Sequence, residues 1–277
     1  MRVLVGFDGR DGGRDALELA RVLAVASDAD VLAVTAIPYG PLPVTPVLLQ
    51  DGDIAGAEAL LAEARERLGG LDAETRAFGG GTPAGVLTVL AEKEEFDLLV
   101  VGSPHRGPIG RAMIGSVADS VLPGAPCAVV VAPRGYADES HGPFGLIAVA
   151  YDGTPEAKTA LQRAEAIAHA MNARIRLLTV VAPPVSIGIV GYVPPEPPDP
   201  HKIVEEAMRS IDPKLSAESE VLQGDPAHKL AEAAEHGVDL IVAGSRGYGP
   251  LMRVLLGSVS SRLVHEAPCP VLIVPRP

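Results

Sequence analysis

Val3-Leu4-Val5-Gly6-Phe7-Asp8-Gly9 recurs 144 residues later as Ile147-Ala148-Val149-Ala150-Tyr151-Asp152-Gly153. Each stretch is a short apolar run that stops on an Asp-Gly pair, which reads as a buried strand ending in a turn. Two more stretches recur at an offset of 142. Phe96-Asp97-Leu98-Leu99-Val100-Val101-Gly102-Ser103 returns as Val238-Asp239-Leu240-Ile241-Val242-Ala243-Gly244-Ser245, and Ala125-Pro126-Cys127 as Ala267-Pro268-Cys269. The chain is therefore two copies of one unit, differing by a net two residues in the middle. The expected organisation is a first domain over 1–136, a linker over 137–143 and a second domain over 144–277. The join contains Gly, Ser and Asp.

Each copy alternates strand and helix. After the first strand (residues 3–7), Ala16, Leu17, Ala20, Leu23 and Ala24 mark one face of a helix, and Ala160, Leu161, Ala164, Ile167 and Ala168 repeat it. Second strands are expected at 31–37 and 175–181, then a Pro-rich loop, a helix, a strand and a helix. Buried strands at 98–101 and 240–243 run into a Gly-rich segment. Short helices follow from Gly115 and Gly257, and last strands lie at 128–131 and 271–274. This alternation implies an α/β fold: two tandem doubly wound, Rossmann-like domains, each a parallel sheet with helices on both faces. Aromatics make up 3% of the chain and Trp is absent, so the core must be built from Ala, Val, Leu and Ile, which suits such strands. Ligands of these sheets bind at strand carboxyl ends, where strand order reverses. Asp8, Asp152 and both Gly-rich segments fall there. The last strands are short, apolar and uncharged, and edges of that kind need covering, so the copies are expected to pair through them.

The 277 residues carry a net charge of −12, which argues against a nucleic-acid partner, since affinity for phosphate backbones comes from basic surface. Cys127 and Cys269 sit in no metal-spaced pair. The amino-terminal run meets Asp8 too soon for a signal peptide, and no apolar run is long enough to span a bilayer. A soluble, cytosolic protein without membrane contact is expected.

In the second copy the Gly-rich segment reads Gly244-Ser245-Arg246-Gly247-Tyr248-Gly249-Pro250-Leu251-Met252-Arg253-Val254-Leu255-Leu256-Gly257-Ser258. A strand-end glycine lets the backbone approach a ligand or adopt positive φ. A helix start at Gly257-Ser258 offers free amides and a partial positive charge to phosphate, and Ser258 can cap the helix or donate its hydroxyl to the anion. The segment holds Arg246 and Arg253 and no acid, in a chain acidic overall. Together these describe a phosphate cradle. A plain strand-to-helix connection would also use glycines, but this one occurs twice at the same internal spacing.

These residues resemble the universal stress protein family, which carries G-x2-G-x9-G-[ST] after its fourth strand. Gly244, Gly247, Gly257 and Ser258 match it in full, and Asp8-Gly9 and Asp152-Gly153 match the family's Asp-Gly after its first strand. The resemblance covers nearly the whole chain, twice over. It implies five parallel strands per copy, ATP as ligand with Mg2+ beside it, and Asp contacts to adenosine. The implied nucleotide site is Ala150, Asp152, Val180, Ala243, Gly244, Arg246, Gly247, Gly257, Ser258 and Val259 in the second copy, and Asp8, Gly102, His105, Gly115, Ser116 and Val117 in the first. It further implies an intramolecular pseudo-dimer, and allows a homodimer. The sequence names no protein partner.

The first copy departs from the motif. Gly102-Ser103-Pro104-His105 places His105 opposite Gly247 and Pro104 opposite Arg246. His105 either intrudes on the site, donates to a phosphate oxygen, or stands as an exposed loop residue. Glycine in place of histidine frees the turn, so the second copy is expected to bind better.

Other signals carry less. Gly79-Gly80-Gly81-Thr82-Pro83-Ala84 fits G-x-G-x-x-A, but the acid of a dinucleotide fingerprint is missing from the end of the next strand, and Gly224-Asp225-Pro226-Ala227 has lost the glycines. Both read as tight turns. There is no P-loop, no His-Glu-x-x-His and no nucleophile elbow. His228 and His236, expected on one helix, read as surface residues. Asp8 and Asp152 have no second acid or base in the motif and read as hydrogen-bonding groups. The Pro-rich loops 38–51 and 183–200 read as mobile loops, flaps over the adenosine or association surfaces. A regulatory nucleotide binder with slow or absent hydrolysis is the expectation. The rivals are an adenylating or hydrolysing enzyme of the adenine nucleotide α-hydrolase group, and a nucleotide-free interaction protein. The enzymes of that group carry an S-G-G-x-D-S-like loop, where this chain has Asp8-Gly9-Arg10-Asp11-Gly12-Gly13 and Asp152-Gly153-Thr154-Pro155.

Overall fold

A computed structural model describes residues 1–37, 47–48, 55–103, 116–183, 199–245 and 257–275. The first half runs β1 (Arg2–Gly6), α1 (Asp11–Ser27), β2 (Asp30–Ile37), β3 (Val47–Leu48), α2 (Ala55–Arg67), β4 (Ala73–Gly79), α3 (Pro83–Lys93), β5 (Leu98–Gly102), α4 (Ser116–Val121) and β6 (Ala128–Ala132). The second runs β7 (Leu146–Ala150), α5 (Pro155–Met171), β8 (Arg174–Val181), α6 (Pro200–Ser210), β9 (Ala217–Gln223), α7 (Pro226–Ala234), β10 (Leu240–Gly244), α8 (Ser258–Glu266) and β11 (Val271–Val274). The Pro-rich stretch 38–51 holds one element the sequence did not suggest, β3, antiparallel to the end of β4. The rest of that loop, residues 184–198 of the other, and Pro104, His105, Gly115, Arg246, Gly247 and Arg253 lie outside the described residues.

Each half has five parallel strands, in the order β4-β2-β1-β5-β6 and β9-β8-β7-β10-β11. They form one sheet, because β6 and β11 pair antiparallel through Val131↔Val271, Val130↔Leu272 and Val129↔Ile273. The expected strand pairing is found. Strand order reverses between β1 and β5 and again between β7 and β10. Alternate strand residues feed two apolar layers. Val3, Val5, Ile147 and Val149 face α1, α2, α5 and α6, whereas Leu4, Leu99, Ala148 and Ile241 face α3, α4, α7 and α8. Since β6 and β11 run in opposite directions, the carboxyl ends of the two halves open on opposite rims.

The two-residue offset has a local origin. Three residues separate the end of β4 from Pro83, against two between the end of β9 and Pro226, and one more is lost between the helix start and β10. Both turns are strand-to-helix connections, with Gly80, Gly81 and Gly224 at positive φ and caps at Thr82 and Asp225. His236 lies beyond α7, which ends at Ala234, so it does not share a helix with His228; both are exposed.

The strand-end glycines are fixed by packing. A Cβ on Gly102 would lie 1.8 Å from the Gly12 carbonyl oxygen, and one on Gly244 would lie 2.9 Å from the backbone of Glu156. The first turns of α1 and α5 thus rest directly on the ends of β5 and β10. Neither glycine has positive φ. Helix docking by itself requires a glycine at both positions.

The stretch joining the halves is docked. Asp15, fully buried on α1, accepts from the Gly135 amide at 3.1 Å and the Ala137 amide at 2.9 Å. Burial raises its carboxyl above the usual carboxylate value, against the pull of both amides. Tyr136 is buried and stacks on His141, with ring centroids 3.7 Å apart. Consequently α1 buries a second stripe, Asp15, Leu19 and Val22, where α5 has polar Thr159 and exposed Arg163 and Ala166.

Asp15→Ala should lower unfolding stability by about 1–3 kcal/mol, because two amides lose their acceptor; the urea midpoint reads this, and an unchanged midpoint would show the linker docks by other means. Gly102→Ala should cost at least about 1–3 kcal/mol through overpacking against Gly12. Gly142→Ala, where a Cβ meets nothing within 4 Å, should be near neutral in the same denaturation series.

Candidate functional site

The second-half site starts from the Asp152-Gly153-Thr154-Pro155 turn. Gly153 sits at φ +81°, a left-handed conformation that glycine adopts freely. Asp152 Oδ1 accepts from the Thr154 amide at 3.1 Å and from its hydroxyl at 2.6 Å. Thr154 Oγ1 in turn accepts from the Ala157 amide at 3.3 Å, capping α5, and Pro155 takes the first helical position. Behind the turn, the Tyr151 carbonyl accepts from the Thr179 hydroxyl at 2.8 Å, and its amide donates to Leu178. The Asp-Gly pair is thus a turn whose aspartate is held at the crevice mouth by its own chain.

Where β7 and β10 diverge, a cleft of about 100 Å3 opens. Ala150, Asp152, Val180, Ala243, Gly244 and Val259, six residues expected from the sequence, line it together. Gly257 and Ser258 lie beside Val259 at the start of α8. Tyr151, Thr154, Glu156, Ala157, Leu178, Pro226, Leu230 and Ser260 also line it and were missed. Two had a legible signal: Leu178 shares the face of Val180 by strand alternation, and Thr154 precedes a proline at a helix start. The walls are apolar apart from the carboxylates of Asp152 and Glu156 and a few hydroxyls, and no basic side chain lines the cleft among the described residues. Such a cleft can take a flat, apolar-faced group with polar edges. It is smaller than the roughly 300 Å3 of small-molecule pockets, so a larger ligand extends beyond it.

Gly257 is the cap position of α8, at φ −61° and ψ 148°, with no side-chain cap. Ser258 is the first helical residue, which corrects its expected capping role. Buried Ser260, in the same turn, donates its hydroxyl to the Gly244 carbonyl at 2.9 Å.

The first half is built differently at equivalent points. Asp8 Oδ1 accepts from the Arg10 amide at 3.1 Å, and the Arg10 guanidinium stands 3.9 Å from Oδ2 where Thr154 stands in the other half. Arg10 provides no side-chain cap to α1. A methyl group on Gly6, the counterpart of Ala150, would lie 2.8 Å from Leu87, so Leu87 fills that space. Ala118 replaces Ser260. Gly102 ends β5, and Ser116 and Val117 open α4, which gives way after Val121 to a tighter turn of helix.

Among the described residues, no cluster of three or more His, Cys, Asp or Glu could hold a metal ion, and no helix is long and apolar enough to cross a membrane. Burial pushes the Cys127 thiol up to about 11 and that of Cys269 to about 12, so neither is a ready nucleophile.

Comparison with known proteins supplies the lineage. The model of the universal stress protein family matches residues 1–133 and 143–275. A universal stress protein of Mycobacterium tuberculosis is 31% identical over 68% of this chain and 65% of its own length, so the alignment spans just under two thirds of that relative. One from Mycolicibacterium smegmatis is 28% identical over 98% of this chain and 96% of its own. The crystal structure of a universal stress protein from Archaeoglobus fulgidus superposes with a TM-score of 0.76 at 20% identity, over 100% of this chain and 98% of that one, and so shares the fold. With both halves matched end to end, the chain belongs to the universal stress protein family.

Proposed function

We propose that the protein is an ATP-binding regulatory member of its family, with the nucleotide as ligand rather than fast-turnover substrate. The observation that carries this is the second-half crevice, where an apolar wall of Ala150, Leu178, Val180 and Leu230 meets the first turn of α8 across one strand end. An adenine ring suits the wall. The sugar falls beside Asp152, and the phosphates extend toward the α8 amides, whose partial positive charge favours them. Mg2+ would enter with the phosphates, whose oxygens it takes as ligands, since no group of three or more acidic, His or Cys side chains among the described residues would hold it alone. Hydrolysis is slow on this reading, because Asp152 is committed to its turn and the cleft shows no paired acid and base among the described residues.

The halves bind unequally. Thr154, Ala150 and Ser260 prepare the second crevice, where the first has Arg10, Leu87 against Gly6, and Ala118. This adds to the substitution of His105 for Gly247, and it favours a ligand-binding second half over a nucleotide-free interaction protein.

Titration with Mg-ATP should show one dominant binding event, and ligand at ~100-fold over its dissociation constant should stabilise the protein by about 2.7 kcal/mol. Gly257→Glu, which sets a carboxylate at the α8 start, should weaken that event at least tenfold, about 1.4 kcal/mol, whereas Gly115→Glu leaves it intact. No heat and no thermal shift in the wild type would end the nucleotide reading, and loss through Gly115→Glu alone would reverse the ranking of the halves. Phosphate release should run far below the roughly 10 s−1 typical of enzymes. A rate near that value would favour the enzyme reading.

A further inference from the structure

The direction of the Gly244 carbonyl follows from the ladder around it. Along a strand, successive peptide groups point alternately to its two neighbours. The Ile241 amide donates to Pro270 at 2.9 Å and the Ser245 amide to Val274 at 2.8 Å, so the odd-numbered groups face β11. The Gly244 carbonyl therefore points toward β7. The register between β10 and β7 ends at Val242↔Val149. Gly244 lies past that last pair, and its oxygen opens into the crevice rather than onto a strand. What meets it there is the Ser260 hydroxyl, 2.9 Å away, on a side chain only 4% exposed that also lines the cleft.

We infer that Ser260 is a positioning residue for the phosphate end of the bound nucleotide, an inference that rests on the nucleotide reading of the second-half crevice. The bond acts in two ways. It ties the first turn of α8 to the end of β10, so the amides of that turn hold one position relative to the base-binding wall. It also partly neutralises a carbonyl oxygen that would otherwise present its full negative charge to an incoming anion, in a crevice where such charge is poorly screened. A hydroxyl at this position is required for both, and only Ser and Thr place one there without a longer side chain in the cleft. The first half has Ala118, buried and without a donor, at the matching place beside Gly102.

Positioning of this kind acts on phosphate and leaves the base alone, which separates it from a general loss of structure. Calorimetry with two probes, Mg-ATP and adenosine, on the wild type, Ser260→Ala and Ser260→Thr tests it. Ser260→Ala should bind Mg-ATP about tenfold more weakly, the scale of one hydrogen bond, while its adenosine affinity stays at the wild-type value. Ser260→Thr should recover the Mg-ATP affinity. Equal losses for both probes would reduce Ser260 to a packing role. Unchanged Mg-ATP binding in Ser260→Ala, or no recovery in a folded Ser260→Thr, would overturn the inference while the nucleotide reading stands. A wild type that binds neither probe would remove the nucleotide reading itself.

Discussion

The antiparallel ladder between β6 and β11 is the contact on which the architecture depends. Each strand ends a five-stranded parallel sheet and would otherwise leave an apolar edge with unpaired amides and carbonyls facing water. Pairing Val129, Val130 and Val131 with Ile273, Leu272 and Val271 removes both edges at once. It also makes the two apolar layers continuous, so that α1 and α5 share one face of a single sheet. The orientation of the seam then decides where chemistry can occur. The two carboxyl rims face opposite ways, and each crevice borders the amino rim of the other half.

The parts of this design that were legible in sequence are those set by short-range periodicity. Val3-Leu4-Val5 and its echo Ile147-Ala148-Val149 are apolar on both sides, and only a strand covered on both faces accommodates that. Ala16, Ala20 and Ala24 recur at helical spacing because α1 must lie close on the sheet. Six residues of the second crevice could be named through the family resemblance, whose motifs mark strand ends and a helix start. What sequence could not give is which chain segment stands opposite. Glu156 is fixed in the crevice by its contact with Gly244, 88 positions away, and nothing in a local reading joins them. Gly244 was read for a ligand, and its packing against a helix backbone was not foreseen. β3 escaped notice because two residues carry no period, and the buried stripe of Asp15, Leu19 and Val22 because its cover is the linker rather than the sheet.

The repeat and its departures are informative together. Where the fold demands one solution, the halves agree: Gly9 and Gly153 both take positive φ, Asp28 and Asn172 both end their helices in the left-handed region, and Asp97 and Asp239 both accept from the amides that open β1 and β7, those of Arg2 and Leu146. Around the crevices they differ, with Arg10 against Thr154, Gly6 against Ala150 and Ala118 against Ser260, as they do on the face of α1 that the linker covers. The agreement measures what the sheet needs.

The docked linker gives the seam a further consequence. Two separate copies of a half would meet through β6-like edges only as often as their concentration allowed. Joined by a short stretch pinned to α1, the halves meet at an effective concentration of the millimolar order regardless of how much protein is present. Each half is then released from having to recognise its partner, and from having to resemble it. Sequence drift in one crevice no longer endangers assembly, so the two crevices are free to diverge.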